Sequence, residues 1–104
     1  MNPILIPDWN EKVVFSHEGP QPQPLIVADH LKSVLVGLEP GQKIPPHPAP
    51  LAVYHFLEGE GVMWVNGEPL PVQAGATVIV PEGAVRGMDA KTQLAFLGTH
   101  RGEH

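Results

Sequence analysis

The sequence contains no cysteine, so disulfides, thiolate metal sites and cysteine nucleophiles are excluded together, and any metal would have to be held by His, Asp or Glu. Lysine and arginine are scarce. The six of them, Lys12, Lys32, Lys43, Arg86, Lys91 and Arg101, are scattered through a chain of net charge −5 and form no basic stripe against a phosphate backbone. Nucleic acid is therefore not an expected partner. No run approaches the roughly 20 apolar residues needed to span a bilayer, and the opening Met-Asn-Pro-Ile-Leu-Ile-Pro-Asp-Trp has no basic segment ahead of an apolar one. No membrane association is expected, and the default location is cytoplasmic. Serine is limited to Ser16 and Ser33, neither in a Gly-x-Ser-x-Gly setting, which argues against serine nucleophile chemistry. Long helices are missing too: no window of about 11 residues keeps a 3.6-residue apolar period free of Gly and Pro, so at most a helical turn is predicted.

What the chain has instead is punctuation. Eleven Gly and 13 Pro stand among 104 residues, of which 42 % are hydrophobic, and the apolar residues fall in short runs between them. That pattern reads as many short strands with abrupt turns, in one domain over residues 1–104 that buries about 65 % of its unfolded surface. Residues 1–24 read as an N-terminal arm and entry strand. Within them Lys12-Val-Val-Phe-Ser16 is predicted as the first strand, and Gly19-Pro-Gln-Pro-Gln-Pro24 as an extended connector with too few N–H groups for a central strand. Its sharper alternative is a Pro-rich ligand for a partner domain.

Residues 25–100 read as the barrel. Apolar runs come at Leu25–Ala28, Leu31–Leu38, Leu51–Leu57, Val62–Val65, Leu70–Val72, Thr77–Val80, Ala84–Met88 and Thr92–Leu97, each bounded by Gly, Pro, Asn or Asp. Val65-Asn66-Gly67-Glu68 predicts a tight hairpin, because Asn-Gly accepts the positive φ values of a two-residue turn. The architecture implied is all-β, a small sandwich or barrel. In Leu51–Leu57 one face carries Leu51, Val53, His55 and Leu57 and the other Ala52, Tyr54 and Phe56, so neither side is clearly wet. Either the N-terminal arm or a second subunit must cover the outer face, and a homodimer is the expected assembly.

The stretch Gly41-Gln-Lys-Ile-Pro-Pro-His-Pro-Ala-Pro-Leu-Ala-Val-Tyr-His-Phe-Leu-Glu-Gly-Glu-Gly61 resembles the first motif of the cupin superfamily, and Gly75-Ala-Thr-Val-Ile-Val-Pro-Glu-Gly-Ala-Val-Arg-Gly-Met-Asp89 resembles the second. The scaffold positions match: Gly41 stands six before His47, Gly59 ends a strand, Asn66-Gly67-Glu68 sits at the family's turn, and Gly75 leads to Pro81-Glu-Gly83 by the family's count. The likeness covers about Val34 to Leu97, with Lys12–Ala28 similar to the entry strands of small single-domain cupins. It implies a double-stranded β-helix, or jelly-roll, barrel.

The metal positions of the family do not match. Its four usual ligands are His, His, Glu and His, and here only His47 can be carried over. The glutamate position falls on Ala52, the motif-two histidine on Arg86 and the asparagine on Ala90, while Pro45, Pro46, Pro48 and Pro50 crowd the segment that carries the first two histidines. A catalytic metal commonly needs three protein ligands, and a guanidinium in a ligand position repels a cation. Candidate replacement ligands are His100 and His55, with Glu58 and Glu60. Alternation, however, turns His55 outward if Ala52 faces inward, and the two glutamates belong to a Gly-rich turn.

A pocket is expected from His47, Tyr54, Phe56, Trp64, Arg86 and Met88, with Arg86 offering a fork of donors to the carboxylate of a small organic acid. The competing reading pairs Arg86 with Asp89 or a glutamate. Trp64 and Met88 read as plain core or pocket lining rather than a cofactor box, and His47 also reads as a hydrogen-bonded pocket or structural residue. Three functions remain open. One is a metal-independent small-molecule-binding cupin without a cofactor. Another is a divergent metal-dependent enzyme of dioxygenase or isomerase type, with a divalent transition metal on His47 and non-standard ligands. The third is a metal-free enzyme with His47 as acid or base. No catalytic residue is assigned.

Overall fold

A computed structural model describes residues 2–102. Nine strands follow a single turn of 3-10 helix at Trp9–Glu11: β1 Gln21–Val27, β2 Lys32–Leu38, β3 Lys43–Pro48, β4 Ala52–Glu58, β5 Glu60–Val65, β6 Glu68–Gln73, β7 Thr77–Val80, β8 Val85–Ala90 and β9 Leu94–His100. They form two antiparallel sheets, in the orders β1-β2-β9-β4-β7 and β3-β8-β5-β6. The β5–β6 hairpin turns at Asn66-Gly67, with φ of 50° and 81°, as the sequence predicts. Asn66 also sets the start of β8. Its side-chain Oδ1 accepts from Val85 N at 2.9 Å, and its N–H donates to Val85 O at 2.7 Å.

The core lies between the sheets. Val36 and Leu38 of β2, Phe56 of β4, Val80 of β7 and Leu94 and Phe96 of β9 face Met63 of β5, Val72 of β6 and Met88 and Ala90 of β8. These are alternate positions on each strand, as a half-buried sheet requires.

Two expectations need correction. Lys12–Ser16 forms no strand. Residues 13–15 instead lie across the outer face of β2 at Gly37, where any Cβ would collide with Val14 O. The arm therefore covers the outer face at β2, where glycine at 37 makes the contact feasible, and it does not cover the strand expected to need it, since Leu51 and Val53 stay 50 % and 42 % exposed. Second, Gly19–Pro24 is more than a connector, because β1 starts at Gln21 and pairs with β2 from Gln21↔Gly37 to Val27↔Lys32. An edge strand uses only every second N–H, so prolines at 22 and 24 leave the inward donors of Gln21 and Gln23 intact. Lys43–Pro48, which lies outside the predicted apolar runs, is also a strand despite Pro45, Pro46 and Pro48. It too is an edge, and its register with β8 shifts between Ile44 and His47 where the adjacent prolines fall.

Candidate functional site

β8 brings Arg86 and Met88 to the inner face, and β3 sets His47 opposite Arg86 at one end of the barrel. Arg86 is 2 % exposed, the most deeply placed charge among the described residues. Its guanidinium is held by oxygen atoms. Nε donates to Ala84 O at 3.1 Å, and Nη1 donates to Pro50 O at 2.8 Å and Tyr54 Oη at 3.4 Å. Nη2 donates to Ala49 O at 2.8 Å, Ala84 O at 3.0 Å and Pro81 O at 3.2 Å. Five N–H groups thus meet five acceptors, four of them backbone carbonyls. The Arg86 Cζ also lies 5.9 Å from the centre of the Tyr54 ring.

This guanidinium closes the end of the barrel. It ties the β3–β4 connection at Ala49 and Pro50 to the β7–β8 turn at Pro81 and Ala84. Gly83 N donates to Ala49 O at 2.9 Å, Leu51 N to Glu82 Oε2 at 2.7 Å, and Arg101 Nη2 to Glu82 Oε1. Under this clasp a cavity of about 30 Å³ is lined by Ile44, His47, Tyr54, Met63, Arg86, Met88 and Phe96, with the Gly87 backbone. That space holds about one or two water molecules.

Of the six expected pocket residues, His47, Tyr54, Arg86 and Met88 line this cavity. Phe56 does not: it is fully buried one layer deeper and packs on Phe96, ring centres 5.6 Å apart, so Phe96 forms the wall. Trp64 points away. On β5 the inner residue is Met63, opposite Met88, whereas Trp64 stands opposite Gly87 and donates through Nε1 to Asp89 Oδ2 at 3.2 Å. Asp89 also lies 3.9 Å from Lys43 Nζ, so it is not the partner of Arg86. Apart from the Tyr54 hydroxyl, the intramolecular partners of Arg86 are backbone carbonyls, which no residue pattern signals. Met63 and Phe96, by contrast, follow from strict alternation once the hairpin at 66–67 fixes the phase of β5 and Leu94 that of β9.

The three candidate ligands His47, His55 and His100 do not converge. His47 is exposed at the rim and its Nδ1 donates to Pro45 O at 3.0 Å. His55 lies on the outer face of β4, its Nδ1 2.8 Å from Thr77 Oγ1, as alternation against the buried Ala52 requires. His100 stands opposite Ala52 at the end of β9 and donates through Nδ1 to Arg101 O at 2.8 Å. Among the described residues no three His, Asp or Glu side chains are grouped to hold a metal ion. The donor set does not fit the metal that the cupin resemblance implies, and a guanidinium stands in one of its ligand positions. His55 is corrected as a ligand because it faces the wrong side of the sheet.

Comparison with known proteins agrees with this fold. No curated protein gives a significant match. Among solved structures, a conserved protein of unknown function from Streptococcus pyogenes superimposes with a TM-score of 0.86 at 20 % identity, covering 100 % of this chain and 92 % of its own. An uncharacterized conserved protein with a double-stranded β-helix domain from Klebsiella pneumoniae gives 0.85 at 23 % identity, with 94 % and 90 % covered. An RmlC-like cupin from Desulfovibrio desulfuricans gives 0.81 at 24 % identity, with 97 % and 96 % covered. These likenesses establish the fold alone. Among the described residues no helix is long and apolar enough to cross a membrane. With two antiparallel sheets in jelly-roll order and the Cupin_2 model, described as a cupin domain, matching residues 34–97, the chain belongs to the cupin family.

Proposed function

We propose that this cupin is a small-molecule-binding protein that works without a metal, and that its ligand is a small organic acid recognised through Arg86. The observation that supports this reading is the state of the guanidinium: 2 % exposed, with only neutral oxygens as partners. Such a cation is hydrogen-bonded but not neutralised. A carboxylate offers it charge-assisted, bidentate bonds roughly twice as strong as those to a carbonyl. Beside it, Tyr54, Phe96, Met63 and Ile44 provide apolar surface for the remainder of an acid, and the His47 ring stands at the rim.

The cavity of about 30 Å³ sets the route of entry. An acid larger than a formate-sized group reaches the guanidinium when the carbonyls of Ala49 and Pro50 yield Nη1 and Nη2, so the 49–51 connection moves as the ligand arrives. The event is recognition, with no bond made or broken. It is tested by titrating acetate, propionate and benzoate into the protein and following the amide signals of 49–51 and the Arg86 Nε–H by NMR. Saturable shifts confined to these groups, lost in Arg86→Gln, are the expected result. A flat response to all three acids, or an equal response in Arg86→Gln, overturns it.

A further inference from the structure

The 13 prolines are unevenly placed. Seven of them, Pro22 and Pro24 in β1, Pro45, Pro46 and Pro48 in β3, and Pro69 and Pro71 in β6, lie in three strands, and each of those strands is the edge of a sheet. None lies in the five interior strands β2, β4, β5, β8 and β9. A proline on an edge removes a donor with which another chain would pair. Among the described residues the remaining edge, β7, reads Thr77-Val78-Ile79-Val80 and carries no such protection.

Its hydrogen-bond phase follows from the register. Phe56 N donates to Ala76 O at 2.9 Å, continuing the alignment Ala52↔Val80, Tyr54↔Val78. Antiparallel alternation then turns the N–H and C=O of Val78 and Val80 toward β4, and those of Thr77 and Ile79 toward the open side. The Ile79 side chain is 70 % exposed, and its register partner Val53 is 42 % exposed on the same outer face. The arm that shelters Gly37 on β2 leaves both uncovered, since β9 and β4 intervene.

We propose that β7 pairs antiparallel with β7 of a second copy of this chain, joining two five-stranded sheets across a two-fold axis. Self-complementarity selects a second copy. With Val78 on the axis, Thr77 meets the partner subunit's Ile79 and Ile79 meets the partner subunit's Thr77, each pair exchanging two N–H···O=C bonds while inner side chains stay inner. A slip of one residue would set an inner side chain against an outer one. A slip of two would spend Thr77 on the partner subunit's Pro81, which has no N–H to give. Charge permits the contact: the chain carries −5, yet residues 73–81 contain no charged side chain, so no like charges meet across the axis.

Ile79 and Val53 of both copies then form one apolar strip on the outer face. Four residues of edge plus this strip fall short of the roughly 800 Å² per partner of a standard interface, so the dimer is concentration-dependent rather than obligate. This inference goes beyond ligand recognition and does not depend on it.

Sedimentation velocity on the intact protein from micromolar to millimolar concentration tests it, alongside Ile79→Lys and Thr77→Pro. Both substitutions sit on outward-facing groups, and far-UV circular dichroism checks that each variant stays folded. Wild type should shift from monomer to dimer as concentration rises, and both variants should remain monomeric. Three results overturn the proposal: a monomer at every concentration, a dimer insensitive to both variants, or a dimer lost in Ile79→Lys but kept in Thr77→Pro. The last would mean packing through the sheet face instead of the strand edge.

Discussion

Arg86→Met keeps an unbranched side chain of similar reach and removes every hydrogen bond that the guanidinium makes at the end of the barrel. The acceptors respond differently. Ala49 O keeps the Gly83 N–H and Pro81 O keeps the Ala84 N–H, whereas Pro50 O and Ala84 O depend on the guanidinium. Two carbonyls stranded at about 2 kcal/mol each would cost about 4 kcal/mol. Removing the cation also returns part of its own desolvation cost, so the expected net loss is about 2 kcal/mol, or a fall of about 10 °C in Tm for a domain of this size. Urea denaturation with an unchanged m value is the assay. Arg86→Lys should recover less than half the loss, because one ammonium nitrogen with three donors cannot reach acceptors spread over two turns. Equal or greater stability in Arg86→Met would refute the reasoning, since the buried charge would then cost more than the clasp returns.

Two further outcomes are expected. Asn66→Ala forces alanine to a φ of 50° and removes the acceptor for Val85 N, and should cost about 2 kcal/mol in the same denaturation assay. At the other end of the chain, bonds from the Asn10 backbone N–H first and its side-chain amide second hold Asp8 below the usual aspartate value. Its folded pKa is depressed, so its contribution to the 9–11 turn is complete above the ordinary aspartate range and is lost as pH falls through the lowered value. The Asn10 amide shift in an acid NMR titration should report that midpoint, and a midpoint at or above the ordinary aspartate value would contradict it.

The fold was readable where local chemistry and burial agree. Asn66-Gly67 announced its turn because few other pairs accept two positive φ values, and the interior strands announced themselves as apolar runs. The two proline-rich strands were not readable from propensity. Whether a strand tolerates proline depends on whether it lies at an edge, and that is a property of the finished sheet. Lys12–Ser16 failed in the opposite sense: its apolar residues cover a sheet without joining one. In the site, His47, Tyr54, Arg86 and Met88 came from the cupin resemblance combined with strand alternation, while Trp64 was misplaced by one step of alternation, enough to move it through the sheet. Four of the five acceptors of Arg86 are backbone carbonyls, of residues 49, 50, 81 and 84, and such acceptors leave no mark on residue identity.

A metal ion on this donor set would meet a repulsion of calculable size. His47 and Arg86 stand opposite each other on β3 and β8 and line the same small cavity, so a dication resting on His47 would lie near the Arg86 charge. At an effective dielectric constant of about 20, a separation of about 5 Å would correspond to a repulsion of about 7 kcal/mol, with one imidazole to set against it where three ligands are usual. Zn²⁺, Mn²⁺ and Ni²⁺ should therefore leave the Tm of the wild-type protein unchanged. Arg86→His removes the charge and sets a second imidazole opposite His47, so Ni²⁺ should raise the Tm of that variant, reversibly with EDTA. Stoichiometric metal in wild-type protein purified without added metal, lost on His47→Ala, would show that the guanidinium does not govern the site, and the metal-independent reading would fall with it.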